Sequence, residues 1–297
     1  MKNSTFISNS IPLLTPLRYP GGKQWFFNRA KEFFERRRPS VLLGPFAGGA
    51  TVELSLLAAN LCNRLILVEK DPRVAAFWRA ALGDDRLSRR VAKFEPTPEN
   101  VGAVLAQTPK NDLDWAFWVY VKNRTAFNGN LNGGMAKNQR DWRWKDIPID
   151  LYQIRALASR ITFFEGCALD ALQVHNSPDY GAFVDPPYVK KGRLQYREHE
   201  LDHNRLFDIL AAWRGRWLLT YDDCQQVREL SGAHGMVCEQ VSMRDARHRN
   251  RRELVITKPE VVSIHRVPEP RFTVMAPATS IMSRWSRPLR TPDFDGC

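Results

Sequence analysis

Apolar residues along this chain recur with two periods. Over Gln24 to Arg37, Phe26, Phe27, Ala30, Phe33 and Phe34 fall at i, i+1, i+4, i+7 and i+8, the spacing of an amphipathic helix that Pro39 ends. Val41-Leu42-Leu43 is a short apolar run that predicts a buried strand feeding a glycine-rich turn. Thr51 to Asn60 then resumes a helical pattern with Val52, Leu56 and Ala59 inward. Leu65 to Val68 predicts a second buried strand, stopped by Glu69, and Arg73 to Ala81 another helix. Strand alternating with helix is the pattern of an α/β sheet.

From about residue 84 to residue 160 this rhythm weakens. The segment carries prolines, tryptophans and a polar stretch rich in Asn and Gly, Asn128 to Asn138, and reads as a separate lobe. The rhythm returns with strands over Ile161 to Glu165 and Gly181 to Val184, a helix over His203 to Trp213 and a strand over Trp217 to Thr220. Met236 to Met243 and Glu253 to Thr257 predict a final antiparallel pair. After Lys258 the chain is rich in Pro, Ser and Arg without periodicity, and an irregular tail is expected there, as over residues 1–15.

Charge adds a partner class. The net charge is +12, from 44 basic and 32 acidic residues, and such a surplus favours a polyanion because each neutralised phosphate releases counterions. The surplus is clustered: between Arg244 and Arg252 lie five arginines and His248, in the loop that joins the final strand pair. Nine tryptophans among the aromatic residues supply flat faces on which bases can stack. The five cysteines are scattered and never spaced C-x-x-C, against both a disulfide framework and a zinc site, so no metal is expected. Without a leader-like start or a long apolar run, the expected location is the cytoplasm, with no membrane contact.

Two constellations carry chemistry. Gly44-Pro45-Phe46-Ala47-Gly48-Gly49-Ala50 stands between a predicted strand and a predicted helix, where absent side chains let backbone approach a ligand. The next strand ends on Glu69, placed to accept hydrogen bonds from ribose hydroxyls. Together these point to an adenosyl ligand, either a dinucleotide or S-adenosylmethionine. Asp185-Pro186-Pro187-Tyr188, directly after the strand Gly181 to Val184, favours the second. An aromatic amine is a poor nucleophile, so an enzyme acting on it must accept its hydrogens. The Asp185 carboxylate can take one N–H and the Pro186 carbonyl the other, with Pro186 and Pro187 together fixing that carbonyl's direction and Tyr188 stacking on an extruded base.

With these motifs the sequence resembles the D12-class, Dam-like DNA adenine-N6 methyltransferases. The likeness runs from about Pro16 to Pro259. It is carried by Leu17-Arg18-Tyr19-Pro20-Gly21-Gly22-Lys23, the Pro-Phe-Ala-Gly-Gly turn, Glu69, Asn123-Arg124-Thr125-Ala126-Phe127-Asn128-Gly129 and Asp185-Pro186-Pro187-Tyr188, in that order. The resemblance implies a Rossmann-like catalytic domain over 16–83 and 161–259, with a small target-recognition lobe inserted over 84–160. It further implies an S-adenosylmethionine pocket lined by Tyr19, Lys23, Phe46, Gly48, Glu69 and Asp170. The chain departs from the family at Gly44, where an acidic residue usually precedes Pro-Phe, and in the hairpin after Asn128, so a GATC target is not carried over.

The expected activity is methyl transfer to a flipped adenine in double-stranded DNA, with a cognate restriction endonuclease as a partner in function only. Arg124, Asn128 and Asn130 are expected to read the site, and Arg247, Arg249 and Arg251 to hold the DNA backbone. The rivals are an RNA or small-molecule methyltransferase on the same fold, and a DNA-binding protein with a decayed pocket.

Overall fold

A computed structural model describes residues 16–18, 23–136, 138–139, 142, 144, 147–189, 201–244 and 250–259. The chain divides into a unit Met1–Pro259, which holds all of these residues, and a unit Glu260–Cys297. The first unit is built on a seven-stranded sheet. In chain order its strands are β1 (Val41–Gly44), β2 (Arg64–Glu69), β3 (Ile161–Glu165), β4 (Tyr180–Val184), β5 (Arg216–Asp222), β6 (Val237–Arg244) and β7 (Asn250–Thr257). In space they run β3-β2-β1-β4-β5-β7-β6. The first five are parallel, and β7 is inserted antiparallel between β5 and β6.

At the central strands both sheet faces are covered, which is why these strands read as continuous apolar runs. Leu42, Leu65, Leu67, Phe183, Leu218 and Val255 point into one hydrophobic cluster; Leu43, Ile66, Val68, Val184, Leu219 and Leu254 point into the other. A one-residue register slip would exchange the two sets, so the pairing Leu42↔Leu65 and Leu43↔Ile66 is fixed by packing on both sides.

The first cluster is closed by α1 (Phe27–Glu35), α2 (Thr51–Ala58), α3 (Pro72–Gly83), α4 (Arg86–Ala92), α5 (Pro98–Ala106), α6 (Asp112–Thr125) and α7 (Ile147–Leu157). The second is closed by α8 (Ala168–Val174), α9 (His203–Ala212) and α10 (Gln225–Ala233). Strands alternating with helices on two faces make a Rossmann-like α/β fold, as expected. The terminal antiparallel pair also forms, Met243 facing Arg251 and Val237 facing Thr257.

Residues 84–160, expected as an inserted lobe, hold α4 to α7. Their Val91, Val101, Phe117, Tyr120 and Ile154 enter the same cluster as Phe77 and Trp78 of α3. Helix α6 explains why no stripe was visible in this segment: with Ala116, Val119, Tyr120 and Val121 all buried, it is apolar on most sides and packs against α3, α4 and α5. No helix among the described residues is long and apolar enough to cross a membrane.

Chain direction places the functional crevice. From β1 the chain moves to β2 on one side, while β4 lies on the other, so the carboxyl ends of β1 and β4 flank a topological switch point. Ligands in open α/β sheets bind outside such a point. The glycine turn follows β1 and Asp185 follows β4.

Candidate active site

The turn after β1 is fixed by hydrogen bonds that leave its inner side open. The Ala47 N–H donates to the Val68 carbonyl (2.8 Å), and the Gly48 carbonyl accepts from the Trp78 indole (3.0 Å). Gly48 has φ +45°, the left-handed region in which a side chain costs energy. At Gly49 a Cβ would stand 2.5 Å from the Leu17 carbonyl oxygen, so glycine is what lets residues 16–18 pass over the turn.

Glu69 closes the rear of this turn. One carboxylate oxygen accepts the Gly48 N–H (2.9 Å), and the other accepts the N–H groups of Lys70 and Asp71 (2.9 Å each). Burial pushes its pKa up to about 7 against the lowering effect of these backbone donors. A carboxylate offers about four lone-pair sites, and three are already used inside the protein. Glu69 therefore organises the turn first and has room for about one further donor, fewer than the pair of ribose bonds expected from the sequence.

A second node forms around Lys23, whose side chain is 5% exposed. Its ammonium lies 3.0 Å from Asp185 Oδ1 and 3.5 Å from Glu253 Oε2, donates to the Tyr188 hydroxyl (2.6 Å) and stands 5.0 Å from the Tyr188 ring centre. Thr220 Oγ1 donates to the same Asp185 Oδ1 (2.7 Å), and no described residue donates to Oδ2. Burial raises the Glu253 carboxyl, partly offset by Lys23 and by a hydrogen bond with Tyr188. Tyr188 is thus gripped by its hydroxyl, with its ring stacked against Tyr221 at 6.0 Å. Pro186 is buried, and Pro187 lines the cleft with Asp185.

One continuous cleft connects the two nodes. Its walls include Lys23, Phe46, Gly48, Glu53, Glu69, Asn130 and Asp185. Of the expected cofactor residues, Lys23, Phe46, Gly48 and Glu69 are therefore brought together, while Tyr19 lies outside the described residues. Asp170 is not brought in: on α8 it is not part of the cleft wall and pairs with Arg205 at 2.9 Å, the wall being made by Gly166 to Leu169 just before it.

Arg124 also calls for a correction. It is 6% exposed, its guanidinium donates to the Pro16 carbonyl (2.9 Å) and it stacks over the Tyr120 ring. A side chain held in this way is not presented to an external duplex. Its neighbour Asn123 accepts from the Arg18 N–H (2.8 Å) and donates to the carbonyls of Arg18 (2.6 Å) and Gly129 (2.9 Å). The Asn123–Gly129 motif is therefore a clamp on residues 16–18, the segment that delivers Lys23 to Asp185. Gly129, at φ +73°, meets the Arg18 carbonyl so closely that a Cβ would stand 2.4 Å from its oxygen.

Asn130, expected to read DNA, lines the cleft and accepts the Asn132 N–H. The side chains of Asn128 and Arg251, and all of Arg247 and Arg249, lie outside the described residues.

Three participants were missed from sequence. Thr220 sits mid-strand, where its hydroxyl gives no pattern. Glu253 and Glu53 did leave a signal: each is a lone acid in an apolar run, Glu-Leu-Val-Ile in β7 and Thr-Val-Glu-Leu-Ser-Leu-Leu-Ala in α2. Among the described residues no group of three His, Cys, Asp or Glu side chains is placed to hold a metal ion.

No family model and no curated protein matches the chain. Solved structures do. Precorrin-6y C5,15-methyltransferase from Geobacter metallireducens is 13% identical, with a TM-score of 0.39 over 84% of this chain and 100% of that one. A putative RNA methyltransferase from Pyrococcus horikoshii is 11% identical, with a TM-score of 0.36 over 84% and 90%. The putative methyltransferase yhhF from Escherichia coli is 10% identical, with a TM-score of 0.35 over 84% and 92%. Similarity at this level says nothing of substrate or reaction, and the fold assignment rests on the strand order itself.

Proposed function

We propose that the chain is a DNA adenine-N6 methyltransferase of the D12 class that uses S-adenosylmethionine. The observation that carries this is the state of Asp185. Its Oδ1 is held by Thr220 and Lys23 at the carboxyl end of β4, while Oδ2 takes no hydrogen bond from the described residues, and the Pro-Pro-Tyr backbone follows directly. Such a carboxylate can accept an N–H from an aromatic amine without first rearranging.

The cleft fits the cofactor. It has a backbone-walled glycine turn, an acid at the end of β2 and a buried carboxyl, Glu53, in its wall without an ion pair among the described residues. Lys23, Phe46, Gly48 and Glu69 would hold the cofactor, with Glu69 contributing its remaining acceptor site. When bound, S-adenosylmethionine supplies a methyl group on a positively charged sulfur.

The protein's own residues do the rest. Asp185 Oδ2 and the Pro186 carbonyl accept the two amine hydrogens and turn the nitrogen lone pair out of conjugation. Lys23 keeps Asp185 in place, and Tyr188 offers its ring to the base. The basic loop between β6 and β7 is assigned to DNA phosphates. Location in the cytoplasm, double-stranded DNA as partner and a cognate endonuclease belong to the same proposal.

The test is methylation of adenine in duplex DNA by the purified chain, compared with Asp185→Ala. The parent should transfer methyl from labelled S-adenosylmethionine and the variant at least about 100-fold less, the scale of a lost acceptor at a reacting nitrogen. Methylation of RNA in place of DNA, or a fully active variant, would overturn the proposal.

A further inference from the structure

Glu53 lies in the first turn of α2 with 3% of its surface exposed, yet it borders the cleft. A Cβ built on Gly44 would stand 3.0 Å from Glu53 Oε1 and 3.1 Å from its Cγ. The Glu53 side chain thus fills the space over the end of β1 that any side chain at position 44 would enter. The carboxyl makes no ion pair among the described residues. Burial raises its pKa to about 8, Asp185 pushes the same way, and Lys23 and its own backbone N–H offset only part of this. Lys23 is committed to Asp185, Glu253 and Tyr188. A carboxyl in such a place is costly as an anion unless a cation is brought to it, and the open side from which one can come is the cleft.

We propose that Glu53 is the anchor for the α-ammonium of the cofactor's amino-acid end, a carboxylate reaching from α2 into the space left vacant by Gly44. This rests on the reading of the cleft as an S-adenosylmethionine site, and it assigns the cleft two acids with different work: Glu69 toward the nucleoside, Glu53 toward the amino acid. Ammonium binding beside Glu53 favours its ionised form, so ligand and carboxylate stabilise each other's charge.

Calorimetric binding of two probes to the full chain tests this: S-adenosylhomocysteine, which carries the ammonium without the sulfonium charge, and 5′-methylthioadenosine, which lacks the amino-acid segment. Glu53→Gln should weaken S-adenosylhomocysteine by about 10- to 100-fold, the scale of a lost charge-assisted hydrogen bond, and leave methylthioadenosine within about twofold. Unchanged methylthioadenosine binding also reports an intact cleft.

The exchange variant Gly44→Glu/Glu53→Ala removes one of the two side chains that a residue at 44 would strike, leaving only the flexible end of Leu67 to shift, and returns an acid from the strand side. It should recover S-adenosylhomocysteine affinity over Glu53→Ala. Equal weakening of both probes, or of neither, in Glu53→Gln would overturn the inference while leaving the cofactor reading intact. A parent protein that binds neither probe would overturn the cofactor reading, and this inference with it.

Discussion

Replacing Lys23 by Met tests the centre of the site. The ammonium is nearly fully buried between Asp185 at 3.0 Å and Glu253 at 3.5 Å. At those separations each attraction is about 5 kcal/mol at an effective dielectric of about 20, set against several kcal/mol of desolvation per ion. The pair's net contribution is small, but the cost of breaking it is large, because two carboxylates then face each other without a cation. The loss expected on breaking a buried pair is about 3–5 kcal/mol. Asp185 keeps 26% of its side chain exposed, so water can take up part of its charge and the lower end of that range applies.

Urea denaturation of parent, Lys23→Met, Glu253→Gln and the double variant gives the coupling directly. Glu253→Gln should restore at least about 1 kcal/mol to Lys23→Met, since it removes one of the stranded charges. Methyl transfer should fall by more than about 100-fold in Lys23→Met, because Asp185 and Tyr188 lose their shared donor. A Lys23→Met variant within about 0.5 kcal/mol of the parent, or a double variant less stable than either single one, would refute the assignment of Lys23 as counter-charge.

Gly49→Ala should disorder the passage of residues 16–18, because its methyl group would meet the Leu17 carbonyl oxygen at 2.5 Å; protease cleavage near Leu17 that stays as slow as in the parent would contradict this. Burial raises Glu53 to about 8 and Glu69 to about 7 from 4.5, so the folded state retains protons that the unfolded chain releases, and stability should fall as pH rises from about 4.5 to about 8. Melting temperatures over that range should decline less steeply in Glu53→Gln, and an identical slope would deny the burial its cost. Replacing Arg247, Arg249 and Arg251 with Ala should flatten the salt dependence of log affinity for DNA by up to about 0.9 per lost phosphate contact, without changing the methylated site. A changed site preference would assign the loop to base reading instead.

What was legible in the sequence was whatever depends on local pattern. Leu42-Leu43 and Leu65 to Val68 could be read as two-faced strands because both faces are buried, and Asp185 and the glycine turn could be placed because they sit at strand ends. Contacts made over long separations were hidden. Arg124 looked like a DNA-reading cation because its partner, the Pro16 carbonyl, is 108 residues away. Asp170 looked like a pocket acid because it follows β3 closely, but the rotation of α8 turns it toward Arg205. Gly44 read as a missing acid from one strand alone, since nothing in a one-dimensional pattern says that Glu53 of the next helix occupies the same space. Helix α6 escaped for a related reason: a helix packed on several sides carries no polar stripe to give a period.

The charge of the cleft runs against the charge of the chain, and that contrast bears on how two ligands of opposite sign can share one protein. The chain as a whole is at +12, whereas the cleft walls carry Glu53, Glu69, Asp71, Asp185 and Asp202 against Lys23, Lys70 and Arg73. Arg73 is already bound to Asp71, and Lys23 to Asp185 and Glu253, while burial raises Glu53 to about 8 and Glu69 to about 7, so these two acids become fully negative only as a cation is brought to the glycine turn. On the proposed function a phosphate backbone is drawn to the basic surface outside this cleft, while an extruded adenine, being neutral, can enter where its phosphates need not follow. On the proposed function the same acids favour the methyl donor, whose sulfur is positively charged, over its product, whose sulfur is not. Transfer of the methyl group then removes part of what holds the ligand, so the field that recruits the donor also weakens the hold on what remains after the reaction.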